Sequence, residues 1–507
     1  MSLKRLPRPR CWHEMAIANQ LHLTDCYGMH HLSVHMSLFA VLLLPTGCQK
    51  SLTSKVEAPV QKTASGSLES LSEQWRKESL AYVSAINAYV ERGTDTKWEG
   101  MDESDEPKDT RQPLAGRVIE AVRAANESGQ IDGLRDKYPP AHGPFIELLE
   151  KNGQSLPVVF LLDDGRIALR VGAPYQPGHV AVISGNEVTR LPEKVITIGR
   201  SPNRKIFAYA TEAGVTLHGG WEGPVIAKLA WPTGIEGVPS GFDAERIEGR
   251  PTITRIVPYD SGDKALLVSP EGVFVLGAEE AVRLLPTTDE LQEHFEWLRN
   301  EYPKDSLFYS LDMDHGALST DGKWIACGHQ SSVHYLFNAK TYDVAARVGN
   351  LSEYPHCAIF SHDSQMVALN SCHFYNGRTL GVPTRILPGL TTEPYEVDER
   401  LTLLEDGARV YAGVCGNGEF IIGDAGGYLR AFDFSGKARW QHFIGSSMGD
   451  IDVSEDGETL VATTYAGFLS VIDLDTGEAD PFAISTADHK ERRRWLFWKT
   501  EDEPLIW

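Results

Sequence analysis

A mainly β fold, a seven-bladed β-propeller preceded by a small α-helical segment, is predicted by three observations on this 507-residue sequence. From Pro157 onward, short apolar runs alternate with Gly, Asp and Asn, the texture of many short strands rather than of helices. An Asp-Gly-like turn recurs at Asp164-Gly165, Asn203-Arg204, Gly262-Asp263, Asp321-Gly322, Asp363-Ser364, Asn417-Gly418 and Asp456-Gly457. Three of the six intervals are 39, 42 and 39 residues, close to the roughly 40–45 that one four-stranded blade requires. The longer intervals carry insertions. Thr287–Asn300 reads as a helix with Leu291, Phe295 and Leu298 on one face and a capping box of Thr287 and Glu290, and 389–406 reads as a polar stretch.

The clearest unit is Asp450–Glu478, which reads strand, Asp-Gly turn, strand, Ala-Gly turn, strand, Asp-Thr-Gly turn. A fourth strand is expected at Asp480–Ile484, so the propeller is placed at 157–484. Upstream, 67–153 reads as helical. Leu71, Trp75, Tyr82, Ile86 and Tyr89 share one face with Gly93 as C-cap, a second helix takes in Leu114–Ala125, and Phe145–Leu149 forms a short third segment. The tail, 485–507, carries Arg492-Arg-Arg-Trp-Leu-Phe-Trp498 and Trp507. It is expected to dock on the first blade or the helices, because exposed tryptophans invite aggregation; the sharper alternative is a partner-binding patch.

Charge restricts the partners. A formal net charge of -22 and no basic stripe exclude a nucleic-acid function. Ser37–Pro45 is apolar but too short to span a bilayer, and it ends at Leu44-Pro-Thr-Gly-Cys48 before a polar linker at 49–66. A short hydrophobic segment closed by a cysteine resembles a bacterial lipoprotein signal. That resemblance makes 1–48 an export signal, with Met29 or Met36 as alternative starts, and Cys48 the acylated first residue of a protein anchored to an envelope membrane and facing the periplasm. The other reading is a buried strand ending in an ordinary cysteine. Outside that region lie Cys327, Cys357, Cys372 and Cys415, with neither a Cys-x-x-Cys pair nor a disulfide framework.

Gly427-Tyr-Leu-Arg-Ala-Phe-Asp433, with Gly436-Lys437 and Trp440, resembles the repeat of quinoprotein-like propellers. Ser361-His-Asp363 and Ser454-Glu-Asp-Gly457 resemble the strand-turn start of WD40-like repeats. The resemblance implies a fold rather than a function. The quinone enzymes carry adjacent cysteines against the cofactor and repeat a tryptophan in every blade. No Cys-Cys occurs here and Trp440 stands nearly alone, so no cofactor is expected.

Candidate chemistry is sparse. Gly445-Ser-Ser-Met-Gly449 matches a nucleophile-elbow string, but a strand rather than a helix follows it, so it reads as an interblade loop. Asp312/Asp314 and Asp473/Asp475 lack the remaining ligands of a calcium loop and read as turns. One constellation stands out. Six residues before the turns of blades four to seven lie His315, Cys357 (with His356 beside it), Tyr411 and Asp450. These positions begin the innermost strands and should meet at one mouth of the central channel, able to hold a transition metal or a polar ligand. The plainer alternative is that they are hydrogen-bonding residues at strand starts. The sequence therefore points to a non-enzymatic binding or scaffolding lipoprotein whose partner is an envelope protein or a small ligand. The alternative is a propeller lactonase, lyase or metal-dependent hydrolase.

Overall fold

Seven antiparallel sheets arranged as consecutive blades make up the bulk of the chain. The computed structural model describes residues 65–96 and 98–507; Cys48, the segment read as an export signal and residues 49–64 of the expected linker lie outside them, while 65 and 66 already belong to the first helix. Each predicted Asp/Asn turn joins the innermost strand of a blade to its second strand, from Val158–Leu161 with Ile167–Val171 in blade one to Met448–Val453 with Thr459–Thr464 in blade seven. The chemistry of this turn repeats. Ser201, Ser319, Ser361 and Ser454 each bond the Asn or Asp two residues on, and each hydroxyl also accepts the N–H five residues on. A short polar side chain thus satisfies backbone groups that the tight turn leaves unpaired.

Successive blades bury their faces against each other in seven apolar clusters, one per seam. The seam that closes the ring joins Val461, Leu469, Val471 and Trp495 of blade seven to Leu156, Leu161, Leu169 and Ala181 around blade one. Strands buried on both faces read as continuous apolar runs, which is why Leu266, Leu267 and Val268 in blade three, and Val461 and Ala462 in blade seven, are fully buried.

Three details differ from the sequence reading. The fourth strand of blade seven is Lys490–Leu496, paired with Phe468–Asp473, and not Asp480–Ile484; Leu505–Ile506 pairs outside it as a fifth, so the propeller extends past 484. Pro481 has no N–H to donate, and Ile484 and Ser485 turn instead toward blade six, where Phe443 N donates to Ile484 O. The stretch 389–406 contains structure: Thr402–Asp406 is the outer strand of blade five, and Leu390–Thr391 adds a fifth, parallel strand to blade four. The first helix runs through Gly93 to Thr96. Gly93 leaves room for the Trp98 ring, whose carbons would lie 2.5–2.6 Å from an added Cβ.

The helix Gln112–Glu127, the short helix Ile146–Asn152 and the inserted helix Thr288–Glu301 with its Thr287/Glu290 capping box form as predicted. No described helix is long and apolar enough to cross a membrane. The segment read as a docking tail is part of blade seven, through Lys490–Leu496 and Leu505–Ile506, and its side chains reach the helices and blade one from there. Leu496, Trp498, Leu505 and Trp507 share a core with Leu71, Trp75, Val118 and Phe145 of the helical segment, while Trp495, Phe497 and Ile506 pack toward blade one. Trp507 Nε1 donates to Tyr138 O at 2.6 Å.

Candidate functional site at the channel mouth

Every innermost strand begins on the same face of the ring, here the upper face, and ends at its Asp/Asn turn on the lower face. Arg255, His315, His356, Cys357, Tyr411 and Asp450 all lie within the first four residues of such strands. The structure brings them to the upper mouth of the channel but ties them in pairs. Asp450 of blade seven is bound across the channel by Arg255 of blade three (2.8 Å), and its other oxygen accepts Val159 N of blade one (3.1 Å). Two residues deeper, Asp452 accepts Arg200 (2.8 Å) and Arg204 (3.4 Å) of blade two and Leu161 N (2.7 Å) of blade one. Blade seven thus closes the ring with two carboxylates as well as with apolar packing. Sequence reasoning found Asp450 but missed Arg255 and Asp452; the spaced carboxylates of Asp450-Ile-Asp452 were the available signal.

The remaining candidates form an arc along blades four to seven. His356 lies edge-on to Tyr411 (ring centroids 4.9 Å apart), and Tyr411 is edge-on to Tyr465 (5.5 Å). Arg409 lies over the Tyr411 ring at 4.9 Å and donates to His356 Nε2 at 3.0 and 3.2 Å. His315 and His334 stack edge-to-face at 5.4 Å. His315 Nδ1 donates to Met313 O at 3.3 Å, while its Nε2 has no hydrogen-bond partner. Gly328 provides the space, since an added Cβ there would stand 2.8 Å from the His315 ring.

Burial keeps the thiol and phenol protonated and the imidazoles neutral near neutral pH. Burial pushes the Cys357 thiol up to about 11, against the opposing pull of Arg255. Burial also lowers His315 to about 4. His356 is held well below the ordinary imidazole value by burial and then by the Arg409 charge, and His334 by burial and then by His315. The Tyr411 phenol moves up by burial. Burial raises the Asp450 carboxyl although Arg255 opposes the shift. A thiol this weakly acidic is a poor nucleophile, and imidazoles this weakly basic make poor general bases.

Among the described residues no three His, Cys, Asp or Glu side chains stand together in a way that could hold a metal ion. Ser446 and Ser447 lie in the connection that leads into the innermost strand of blade seven, and the Ser447 hydroxyl donates to Ala425 O.

No protein-family model matches the chain, and no curated protein matches it. Among solved structures, one titled Kuenenia stuttgartiensis Hydrazine Synthase is similar at 12% identity with a TM-score of 0.42, over 64% of this chain and 96% of that one. A likeness of this size carries no argument about activity. The seven-bladed propeller rests on the sheets themselves. The lipoprotein, quinoprotein-like and WD40-like resemblances gain no support from these comparisons.

Proposed function

We propose that the chain is a non-enzymatic binding module of the bacterial cell envelope, lipid-anchored through Cys48, that uses the upper face of its propeller to hold a partner. One observation carries the reading. Five aromatic side chains are exposed among the described residues: Tyr175, Trp297, Phe308, Phe374 and Tyr395. All five belong to connections on the upper side. Tyr175 and Phe374 lie between second and third strands, and Trp297 and Phe308 in the insertion between blades three and four. Tyr395 hydrogen-bonds Asn350, just past the outer strand of blade four. Rigid aromatic side chains are enriched where proteins meet partners, and here the exposed aromatics, unlike the exposed aliphatics Val225 and Ile226, gather on one face. The tied carboxylates and unreactive thiol at the same mouth favour binding over catalysis.

The test is a photo-crosslinking residue placed at Tyr175 or Phe374 in the full chain within native membranes, with Glu455 on the lower face as control. Discrete adducts at the upper positions and none at Glu455 support the proposal. Equal labelling at both faces, or none at the upper one, refutes it. Mass spectrometry of the mature protein tests the anchor: an acylated N-terminal Cys48 is expected, and an intact N terminus in the cytoplasmic fraction removes the envelope assignment.

A further inference from the structure

The described part of the chain buries four arginines, and three of them are fully compensated. Arg111 is clamped by Asp109 (2.6 and 2.8 Å) and Arg494 by Glu491 (2.7 and 3.0 Å). Arg170 sits in a cage of backbone carbonyls from Gly172, Ala173, Gln176 and Ile196. Arg409, 8% exposed, has neither arrangement. Its Nη1 donates to Phe374 O at 3.1 Å, while Nε and Nη2 converge on the single nitrogen His356 Nε2.

That imidazole cannot supply negative charge. Its Nδ1 is 2.6 Å from Val410 O, and because a carbonyl only accepts, the proton is on Nδ1 and Nε2 is a bare lone pair. Asp450 is already engaged by Arg255, and among the described residues no carboxylate lies within ion-pair distance of Arg409. Two of the five guanidinium N–H groups remain without a protein acceptor. Arg170 shows that a full set of carbonyl acceptors can stand in for an anion; a buried guanidinium with neither an anion nor a full set of acceptors is costly. Half-buried Tyr411 and Tyr465 flank it, one ring under the guanidinium and the other edge-on to the first.

We propose that Arg409 anchors an oxyanion site at the channel mouth. The ligand is a small molecule with a ring and a carboxylate or phosphate group; the oxyanion accepts from the two free N–H groups of Arg409, and the ring lies along Tyr411 and Tyr465. The proposal rests on the upper face being the binding face, and it names the chemistry that face selects.

Benzoate and benzamide share a shape and differ in charge, so they are suitable probes for calorimetric titration of the full chain at neutral pH. One saturable benzoate site is expected, with benzamide at least tenfold weaker, inorganic phosphate competing, and the His356 ring signals in the NMR spectrum shifting with benzoate. Arg409→Gln should weaken benzoate at least tenfold. Absent benzoate binding, equal affinity for the two probes, or a folded Arg409→Gln protein that binds as well as the parent would overturn the site. Where that variant does not fold, the probe contrast and the His356 signals of the parent protein decide the matter. Crosslinks from Tyr175 and Phe374 in the absence of benzoate binding would leave the binding face standing and remove only the Arg409 site.

Discussion

Replacing Asp452 with Asn should loosen the ring as a whole. The carboxylate is buried and serves three donors from two other blades: Leu161 N, Arg200 and Arg204. An amide keeps the volume but loses the charge, and it turns an NH2 group toward at least one donor. Breaking a buried ion pair from one side costs about 3–5 kcal/mol, because the partner charge stays buried without compensation. With an unfolding entropy of ~2.1 cal/mol/K per residue over roughly 440 residues, ~0.9 kcal/mol/K in all, that cost lowers the melting temperature by about 3–5 °C. The control is Glu222→Gln, which removes a pair to Arg166 at 2.7 Å in which the carboxylate is 71% exposed. Screened surface pairs of this kind contribute about 0–1 kcal/mol, so its melt should stay within about 1 °C of the parent. Thermal denaturation followed by circular dichroism reads both. An Asp452→Asn protein that melts with the control would show that the cross-blade carboxylate is dispensable and that apolar seams alone close the ring.

Three further outcomes follow from the same geometry. Glu491 is held at about 2 by Arg494 and Arg135, which outweigh its burial, against about 4.3 when unfolded; its contribution is present above the unfolded value and lost as pH falls through the folded one. Stability of the parent should therefore decline from about pH 5 towards 2 more steeply than that of Glu491→Gln, and parallel acid titrations of the two would contradict the pairing. Cys357, with its thiol at about 11, is about 0.03 % thiolate at pH 7.5, so peptide mapping after brief iodoacetamide treatment should find it unmodified. Alkylation at the rate of a free thiol would refute its electrostatic description. Deleting residues 491–507 should do more than trim a tail, because it removes most of the fourth strand of blade seven and three buried tryptophans. At roughly 1.5–3 kcal/mol per large apolar side chain, the loss is many kcal/mol, and a truncated protein melting with the parent would show those contacts to be idle.

The ring was legible in the sequence because its turns use local chemistry. A Ser two residues before Asp or Asn closes the same hydrogen bonds in blades two, four, five and seven, and an Asp- or Asn-containing turn recurs in all seven, so the count of seven could be made without tertiary information. The outer strands were harder to read. Lys490–Leu496 follows a long excursion from blade seven toward blade six, and no local pattern tells a returning strand from a docking tail. Thr402–Asp406 was hidden in the same way, since an outer strand facing solvent on one side has few apolar residues to announce it. At the channel mouth, counting back from the turns found His315, Cys357, Tyr411 and Asp450, because that register is fixed by strand length. Arg255 and Arg409 escaped notice because Arg255 lies one residue beyond the six counted back from Gly262 and Arg409 sits one residue before its strand.

The bonds from Val159 and Leu161 to Asp450 and Asp452 span 291 residues of chain. During synthesis, blade one therefore emerges long before the groups that satisfy its inner backbone donors. Until blade seven arrives, those N–H groups face an open edge, and an open edge can recruit a strand from another molecule. Contacts this distant in sequence form late and slowly. Ring completion is thus a timing problem for the cell: the vulnerable period lasts until the last blade is made, and a chaperone that shields the first blade would be most useful then.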